Sequence, residues 1–248
     1  MKTLPAVLTM VAVAIGASAL VMGLMGSNKP GAHVASGAAS SDALPAGATP
    51  APWQVRVLAS DNLQALGIQV GQSTLGDAMQ QYGPDTQVAV IAAANEAGHL
   101  EAYVDPLQAD FVVGKLVISA EATPAQIEGW RQRAVKAEFM ESTTRRFVLS
   151  TNDLVEALKS RVTGLSFIPQ AQLDVKAVVA RFGEPAELVR SNLHAEHLLY
   201  PARGIDVMVD QEGKELIQYV TPAAFESRLR RPLLQAVSAA ASAASQTR

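Results

Sequence analysis

The chain contains no cysteine among its 248 residues. Disulfides, thiolate nucleophiles, cysteine-ligated zinc, iron–sulfur clusters and a lipid-modified N-terminal cysteine are therefore excluded. The chain also lacks an excess of positive charge, since its formal net charge is −3. Without a basic surface we expect no binding to nucleic acid.

Motifs for nucleotide cofactors and for a serine nucleophile are absent as well. The sequence contains neither G-x-G-x-x-G nor a P-loop pattern, and GQSTLG at residues 71–76 is not the nucleophile motif G-x-S-x-G. We therefore predict no cofactor and no catalytic residue. The length, with 49% hydrophobic residues, allows one large domain or two small ones with packed cores.

The N-terminus carries the only long apolar run. Residues 4–26 are uncharged, and at about 1.5 Å per helical residue they are long enough to cross roughly 30 Å of hydrocarbon. We predict a single-pass inner-membrane anchor with the bulk of the chain in the periplasm. The alternative is a cleavable signal peptide with Ala17-Ser18-Ala19 as its cleavage site, which would release the chain into the periplasm.

Two further segments have a biased composition. Residues 27–52 are almost entirely Ala, Gly, Ser and Pro, which is typical of a flexible linker because such a segment buries too little apolar surface to offset its ordering entropy. Residues 236–248 have a similar bias and are predicted to be a flexible tail, although their alanines also suit a frayed helix.

A helix stop occurs twice between linker and tail. An aromatic residue followed by Gly and then Pro ends two helix-like runs, as Tyr82, Gly83 and Pro84 in the first and as Phe182, Gly183 and Pro185 in the second. The same apolar stripe, spaced i, i+4, i+7, precedes both stops: Leu75, Met79 and Tyr82, then Val175, Val179 and Phe182. We expect Gly to supply a left-handed C-cap and Pro to prevent continuation of the helix.

The similarity extends beyond the stops. Residues 57–66 resemble residues 148–158, and Thr123-Pro124 recurs as Thr221-Pro222. Ordered similarity of this kind indicates an internal duplication, with a first unit at 53–146 and a second at 147–235. The predicted fold class is α+β, with each unit consisting of two short helices on an antiparallel sheet of about three strands. In this prediction residues 57–66 form a short strand-like entry followed by a capped first helix, and residues 124–147 form an amphipathic helix that joins the units.

This order of elements resembles a known family. A capped helix, a second helix introduced by residues 67–83 and again by 167–185, a Gly-Pro or Gly-x-Pro stop and then an antiparallel sheet are similar to the SmpA/BamE-like fold of small bacterial envelope proteins. The resemblance implies a role in envelope assembly or maintenance. A tandem form of a similar unit occurs in secreted β-lactamase-inhibitor proteins. The chain departs from the lipoprotein members because it lacks the lipobox cysteine, which the apolar N-terminal segment could replace as an anchor.

Possible polar sites are few. His194 and His197 flank Ala195-Glu196, and imidazoles with a carboxylate suit zinc or acid–base chemistry, but in a strand the two histidines lie on opposite faces. We expect both to be exposed or at an edge strand and predict no metal site. Asp206 and Asp210 are likewise expected at solvated positions of a hairpin.

The sequence thus predicts a non-enzymatic cell-envelope protein that binds an envelope protein partner through its duplicated units, using their sheets or the cleft between them. The alternative is an envelope enzyme or metal-binding protein with a site near His194 and His197.

Overall fold

The computed structural model describes residues 48–58, 61–94, 96–140 and 144–246. The predicted anchor at residues 4–26 and most of the predicted linker lie outside these ranges. Within the described ranges no helix is both long enough and apolar enough to span a membrane.

Thirteen strands and six α-helices make up the described chain. The strands are β1 (Arg56–Val57), β2 (Leu63–Ala65), β3 (Ile68–Val70), β4 (Gln87–Ala92), β5 (His99–Ala109), β6 (Val112–Ala120), β7 (Lys136–Phe139), β8 (Arg145–Val148), β9 (Val162–Pro169), β10 (Glu187–Arg190), β11 (Ala195–Tyr200), β12 (Ile205–Asp210) and β13 (Leu216–Tyr219). The helices are α1 (Leu75–Tyr82), α2 (Pro124–Gln132), α3 (Thr151–Ala157), α4 (Val175–Phe182), α5 (Pro222–Phe225) and α6 (Arg231–Gln246).

The strands form two antiparallel sheets. One is a small sheet, β1-β2-β3, and the other has ten strands in the order β10-β11-β12-β13-β9-β6-β5-β4-β8-β7. The prediction of two units, each with two short helices on its own sheet of about three strands, is therefore wrong. Apart from β1, β2 and β3, the strands of both predicted units belong to one continuous sheet.

Strand β9 explains this continuity. It pairs with β6 on one side and with β13 on the other, for example through Phe167, which lies opposite both Leu116 and Ile217. Two separate three-stranded sheets would each expose edge strands with unpaired backbone groups, and β9 satisfies one edge of each half. Periodicity within a segment predicts a strand but not the strands with which it pairs.

The main core lies on one side of the large sheet. Its buried residues come from every part of the described chain, from Leu63 in β2 to Tyr219 in β13, and include Trp130 of α2 and Val178 of α4. Helices α1 to α4 and the small sheet cover this side of the large sheet. Both predicted units therefore contribute to a single core.

The C-terminal helices cover part of the opposite side. Phe225, Leu229 and Leu233 pack on Val189 of β10 and Leu199 of β11 in a second, smaller core. A π-helical turn, Glu226–Arg230, separates α5 from α6. This turn precedes Pro232, the second residue of α6, and its greater width relieves the clash that a proline ring makes with the preceding turn.

Two segments predicted to be helical contain strands. The first predicted helix is absent from its described part: Val57 ends β1 and Leu63–Ala65 form β2, in which the buried Leu63 and Ala65 alternate with Gln64. Leu66 and Gly67, both with positive φ, make the two-residue turn into β3.

The second of these corrections concerns residues 124–147. Their helix ends at Gln132, and β7 and β8 follow as a hairpin. Charged and apolar residues alternate in Lys-Ala-Glu-Phe from residue 136, which suits a strand better than a helix.

Helices α1 and α4 end at Tyr82 and Phe182, the aromatic residues of the two stops. The N–H of Gly83 donates to Met79 O at 2.9 Å and the N–H of Gly183 donates to Val179 O at 2.8 Å. Gly83 has φ 96° and ψ 174°, and Gly183 has φ 83° and ψ −176°. Both glycines thus have the positive φ of the prediction, but their extended ψ is not that of a left-handed helical cap.

Candidate functional site

The residues of the two stop motifs make structural contacts on the side of the large sheet that α1 to α4 cover. The Tyr82 hydroxyl donates to Leu66 O at 2.9 Å, and burial raises the pKa of the Tyr82 phenol well above its ordinary value. In the second stop, Phe182 is buried and the Tyr200 hydroxyl donates to Gly183 O at 2.9 Å. Arg203 Nη1 donates to Phe182 O at 2.7 Å. Pro84 is exposed and Pro185 is partly exposed.

The opposite side of the large sheet presents a different surface, which we call the open face. It consists of the side chains of β4, β5, β6, β9 and β13 that point away from the main core. Those that are at least partly exposed include Gln87, Tyr103, Lys115, Ser119, Ser166 and Gln218. The smaller core beneath α5 and α6 includes none of these side chains.

Strand register places one row of these side chains across five strands. Gln218 lies opposite Ser166, Ser166 opposite Val117, Val117 opposite Tyr103, and Tyr103 opposite Gln87. Val117 is 9% exposed and forms an apolar floor between Ser166 and Tyr103. Neighbours in such a row lie about 5 Å apart, so the row is a rigid strip of polar and aromatic groups.

A charged cluster occupies the centre of the open face. Lys115 Nζ lies 3.0 Å from Asp105 Oδ2, and the Tyr103 hydroxyl donates to the same oxygen at 3.4 Å. Burial raises the pKa of the Tyr103 phenol, while the neighbouring Lys115 acts in the opposite direction. Partial burial alone would lower the pKa of Lys115, but its contacts with Asp105 and Tyr103 outweigh that effect and raise it.

Before Tyr103 on β5, the side chains of His99 and Glu101 carry polar atoms that have no hydrogen-bond partner. His99 Nε2 is 3.0 Å from Glu101 Oε1, but the two groups lack the alignment of a hydrogen bond. Both ring nitrogens of His99 and Oε1 of Glu101 are buried without a hydrogen-bond partner. Such atoms are uncommon in folded proteins because each forgoes its hydrogen bond to water.

Strands β8 and β7 extend the charged surface to the edge of the sheet. Arg146 donates to Gln87 Oε1 on β4 and to Glu138 Oε2 on β7. Lys136 also pairs with Glu138. Positive and negative groups therefore alternate along this end of the sheet.

The histidines of the alternative site do not act together. His194 Nδ1 lies 3.2 Å from Glu212 Oε1, whereas His197 Nδ1 lies 2.9 Å from Asp206 Oδ2. The expectation that His197 and Asp206 would be exposed is wrong, since they are 8% and 2% exposed. Both side chains are buried beside the second core, and the hydrogen bond between them gives each a partner that water would otherwise provide.

Asp210 has a local role. Its Oδ1 accepts from the backbone N–H groups of Glu212 and Gly213 and so stabilises the turn between β12 and β13. Among the described residues, no group of three or more histidine or acidic side chains could hold a metal ion.

The open face was missed in the sequence, although its signal was present. From His99 to Asp105 polar or aromatic residues alternate with Leu100, Ala102 and Val104, a period of two that places four of them on one side of a strand. The pairing of Lys115 with Asp105 depends on the irregular register between Val104 and Leu107, and that irregularity has no local sequence signal.

Comparisons with known proteins identify no relative: no family model matches the sequence, and no curated protein or solved structure is significantly similar to it.

Proposed function

We propose that this chain is a non-enzymatic protein of the bacterial cell envelope that binds a protein partner through its open face. The observation that carries the proposal is the row of partly exposed polar and aromatic side chains from Gln218 to Gln87, with the cluster of Tyr103, Asp105 and Lys115 beside it. None of the side chains in this row belongs to the smaller core beneath α5 and α6.

The chemistry of the open face suits a protein partner. Tyrosine is enriched at protein interfaces because its ring adds apolar contact area while its hydroxyl still forms hydrogen bonds. Tyr103 lies between Val117 and Gln87 in the row. The serines and glutamines of the open face supply hydrogen-bond donors and acceptors for the polar groups on the surface of a folded partner. An antiparallel sheet holds these groups on a rigid scaffold, which lowers the entropy lost on binding.

The envelope location rests on the sequence. The apolar N-terminal segment supports an inner-membrane anchor with the described part of the chain in the periplasm, or a cleaved signal peptide with the same final compartment. The resemblance to tandem SmpA/BamE-like and β-lactamase-inhibitor proteins supports a role in binding another envelope protein, in envelope assembly or maintenance.

Site-specific photo-crosslinking in living cells tests this proposal. A photoreactive residue at Ser166 or Gln218 is expected to crosslink to one defined envelope protein. The same residue at Lys176, which is exposed on α4 on the helical side, is the control and should not crosslink to that protein.

Charge reversal at the centre of the face provides the second arm. K115E places a second carboxylate beside Asp105 and is expected to weaken the crosslinked complex by about tenfold or more, as for a central interface residue. K176E should leave it unchanged. Crosslinking from position 176 alone, stoichiometric zinc in the purified protein, or turnover of a substrate would each contradict the proposal.

A further inference from the structure

Strand β7 forms one edge of the ten-stranded sheet. Its side chains are mostly exposed, and two large apolar residues on and beside it are exposed to an unusual degree: Val135 at 68% and Phe139 at 70%. An edge of this kind presents unpaired backbone N–H and C=O groups to any strand that can pair with them.

The direction of these groups follows from the hairpin. The N–H of Met140 donates to Thr144 O at 2.9 Å, so residue 140 faces β8. Inward and outward residues alternate in an antiparallel pair. Phe139 and Ala137 therefore direct their backbone N–H and C=O groups outward, away from β8.

The sequence of this edge is complementary to itself when it is reversed. In Val135-Lys136-Ala137-Glu138-Phe139, a two-fold axis at Ala137 would place Lys136 opposite Glu138 of a second copy. On the other face of the sheet, Phe139 would lie near Val135, whose own N–H donates to Val148 O at 2.9 Å and so takes no part in the new backbone pairing. The ion pair and the apolar contact then each form twice, as a symmetric interface requires.

We propose that β7 pairs with β7 of a second copy of this chain, antiparallel and with Ala137 on the two-fold axis. The outward backbone groups of Ala137 form the central hydrogen-bonded pair. Glu138, which already contacts Arg146 in its own chain, lies between that guanidinium and Lys136 of the second copy. Val135 and Phe139 cover each other, and the two ten-stranded sheets become one.

The pairing involves few residues, and its buried area falls below the roughly 1,200 Å² of a standard stable interface. A self-association of this size is weak in dilute solution. The experiment therefore uses covalent trapping in the full-length chain, purified in a mild detergent. Because the chain has no cysteine, each introduced cysteine reports one contact.

The A137C variant tests the axis. Opposed residues of a hydrogen-bonded antiparallel pair have Cα atoms about 5.5 Å apart, within the span of roughly 4.4–6.8 Å that a disulfide bridges. Under mild oxidation A137C is expected to form a disulfide-linked dimer about tenfold faster than V155C, whose position on α3 is 56% exposed. The V155C control corrects for random collision in the same micelle.

Charge exchange tests the register. In the A137C background, K136E places like charges opposite each other in a homodimer, and E138K does the same with the opposite sign, so each alone is expected to slow trapping. The K136E/E138K double variant restores opposite charges and should restore the rate. When the two single variants are mixed, the mixed disulfide should exceed the half that random pairing produces.

Three results would overturn the proposal. The first is an A137C rate no higher than that of V155C. The second is failure of the double variant to recover while its circular dichroism spectrum and melting temperature match those of the parent. The third is a faster mixed disulfide between A137C and L188C, whose position lies on the opposite edge strand β10, since that result would mean head-to-tail pairing of different edges.

Discussion

Glu215 is a carboxylate held almost entirely out of water, at 2% exposure, directly before β13. Its Oε2 has no hydrogen-bond partner. Burial raises the pKa of the Glu215 carboxyl, although the backbone N–H groups of Glu215 and Leu173 that donate to it act in the opposite direction. The folded protein therefore favours the protonated form of this side chain.

The raised pKa has a defined effect on stability. Between the unfolded pKa and the higher folded pKa, the native state binds more protons than the unfolded chain, so stability is lost as the pH rises through this window. The E215Q variant retains an acceptor for the two N–H groups and carries no charge. We expect it to unfold at a higher temperature than the parent at neutral pH, with a difference that shrinks as the pH falls through the raised folded pKa and is lost below about 4, where the carboxyl is protonated in both states.

Thermal melts of both proteins at several pH values provide the measurement. E184Q, at an exposed position, is the control and should follow the parent throughout. A constant difference between E215Q and the parent at every pH would show that packing rather than ionisation distinguishes them.

Residues of the candidate site could be predicted only in part. The alternation from His99 to Asp105 predicts a strand with one polar side, so Tyr103 and Asp105 were accessible to sequence reasoning. The burial of His197 and Asp206 was not, because it depends on α5 and α6 packing beside their strands. A side chain that looks polar and solvated in the sequence becomes buried when a distant helix covers it.

At the scale of elements, the two helix stops share an uncommon backbone conformation. Gly83 and Gly183 combine a positive φ with an extended ψ, a region that is essentially restricted to glycine. A Cβ atom at either position would meet no heavy atom within 4 Å. Any cost of substitution therefore comes from the backbone rather than from a steric clash.

We predict that G83A and G183A each lower the free energy of unfolding by about 1–3 kcal/mol, and by similar amounts because the two conformations match. Urea denaturation of each variant checks this. A180Q, at an exposed position within α4, controls for a change on the same helix and should stay within about 0.5 kcal/mol of the parent. Loss of stability in only one glycine variant would indicate that the two stops are not equivalent.

Elements with a local signal were predicted well, and the others were not. Thr123 caps α2 through a reciprocal capping box with Gln126, and the hairpin of β12 and β13 is present. By contrast, residues 57–66 contain capping residues followed by leucines, a helical signal that the alternation at Leu63 and Ala65 overrides once both are buried. Tertiary packing therefore decides between strand and helix in this segment, and residue propensities do not include tertiary packing.

At the scale of the whole molecule, the N-terminal end of the described chain joins the two halves of the sheet. Trp53 contacts Phe111 at the turn between β5 and β6, with ring centroids 5.4 Å apart. The guanidinium carbon of Arg181 in α4 lies 4.9 Å from the centroid of the Trp53 ring. The Tyr219 hydroxyl donates to Pro52 O at 2.8 Å. A segment next to the predicted linker thus contacts both predicted units.

This arrangement predicts a single cooperative unfolding transition. The two halves share β9, the main core and the contacts of Trp53, so neither can open without exposing apolar surface of the other. Hydrogen exchange measured by mass spectrometry should give the slowest amides of β5 and of β12 the same free energy of opening. The W53A variant should lower both values together, by about 1–3 kcal/mol, because Trp53 is only partly buried.

The F111A variant removes the ring contact with Trp53 but leaves the other contacts of Trp53 in place. Phe111 is 68% exposed and belongs to the first half of the sheet. Its effect should be smaller than that of W53A and again equal in β5 and β12. If W53A lowered protection in β12 but not in β5, the halves would open independently. The two halves would then be separate stability units despite the shared sheet, and β9 rather than Trp53 would be the place where they separate.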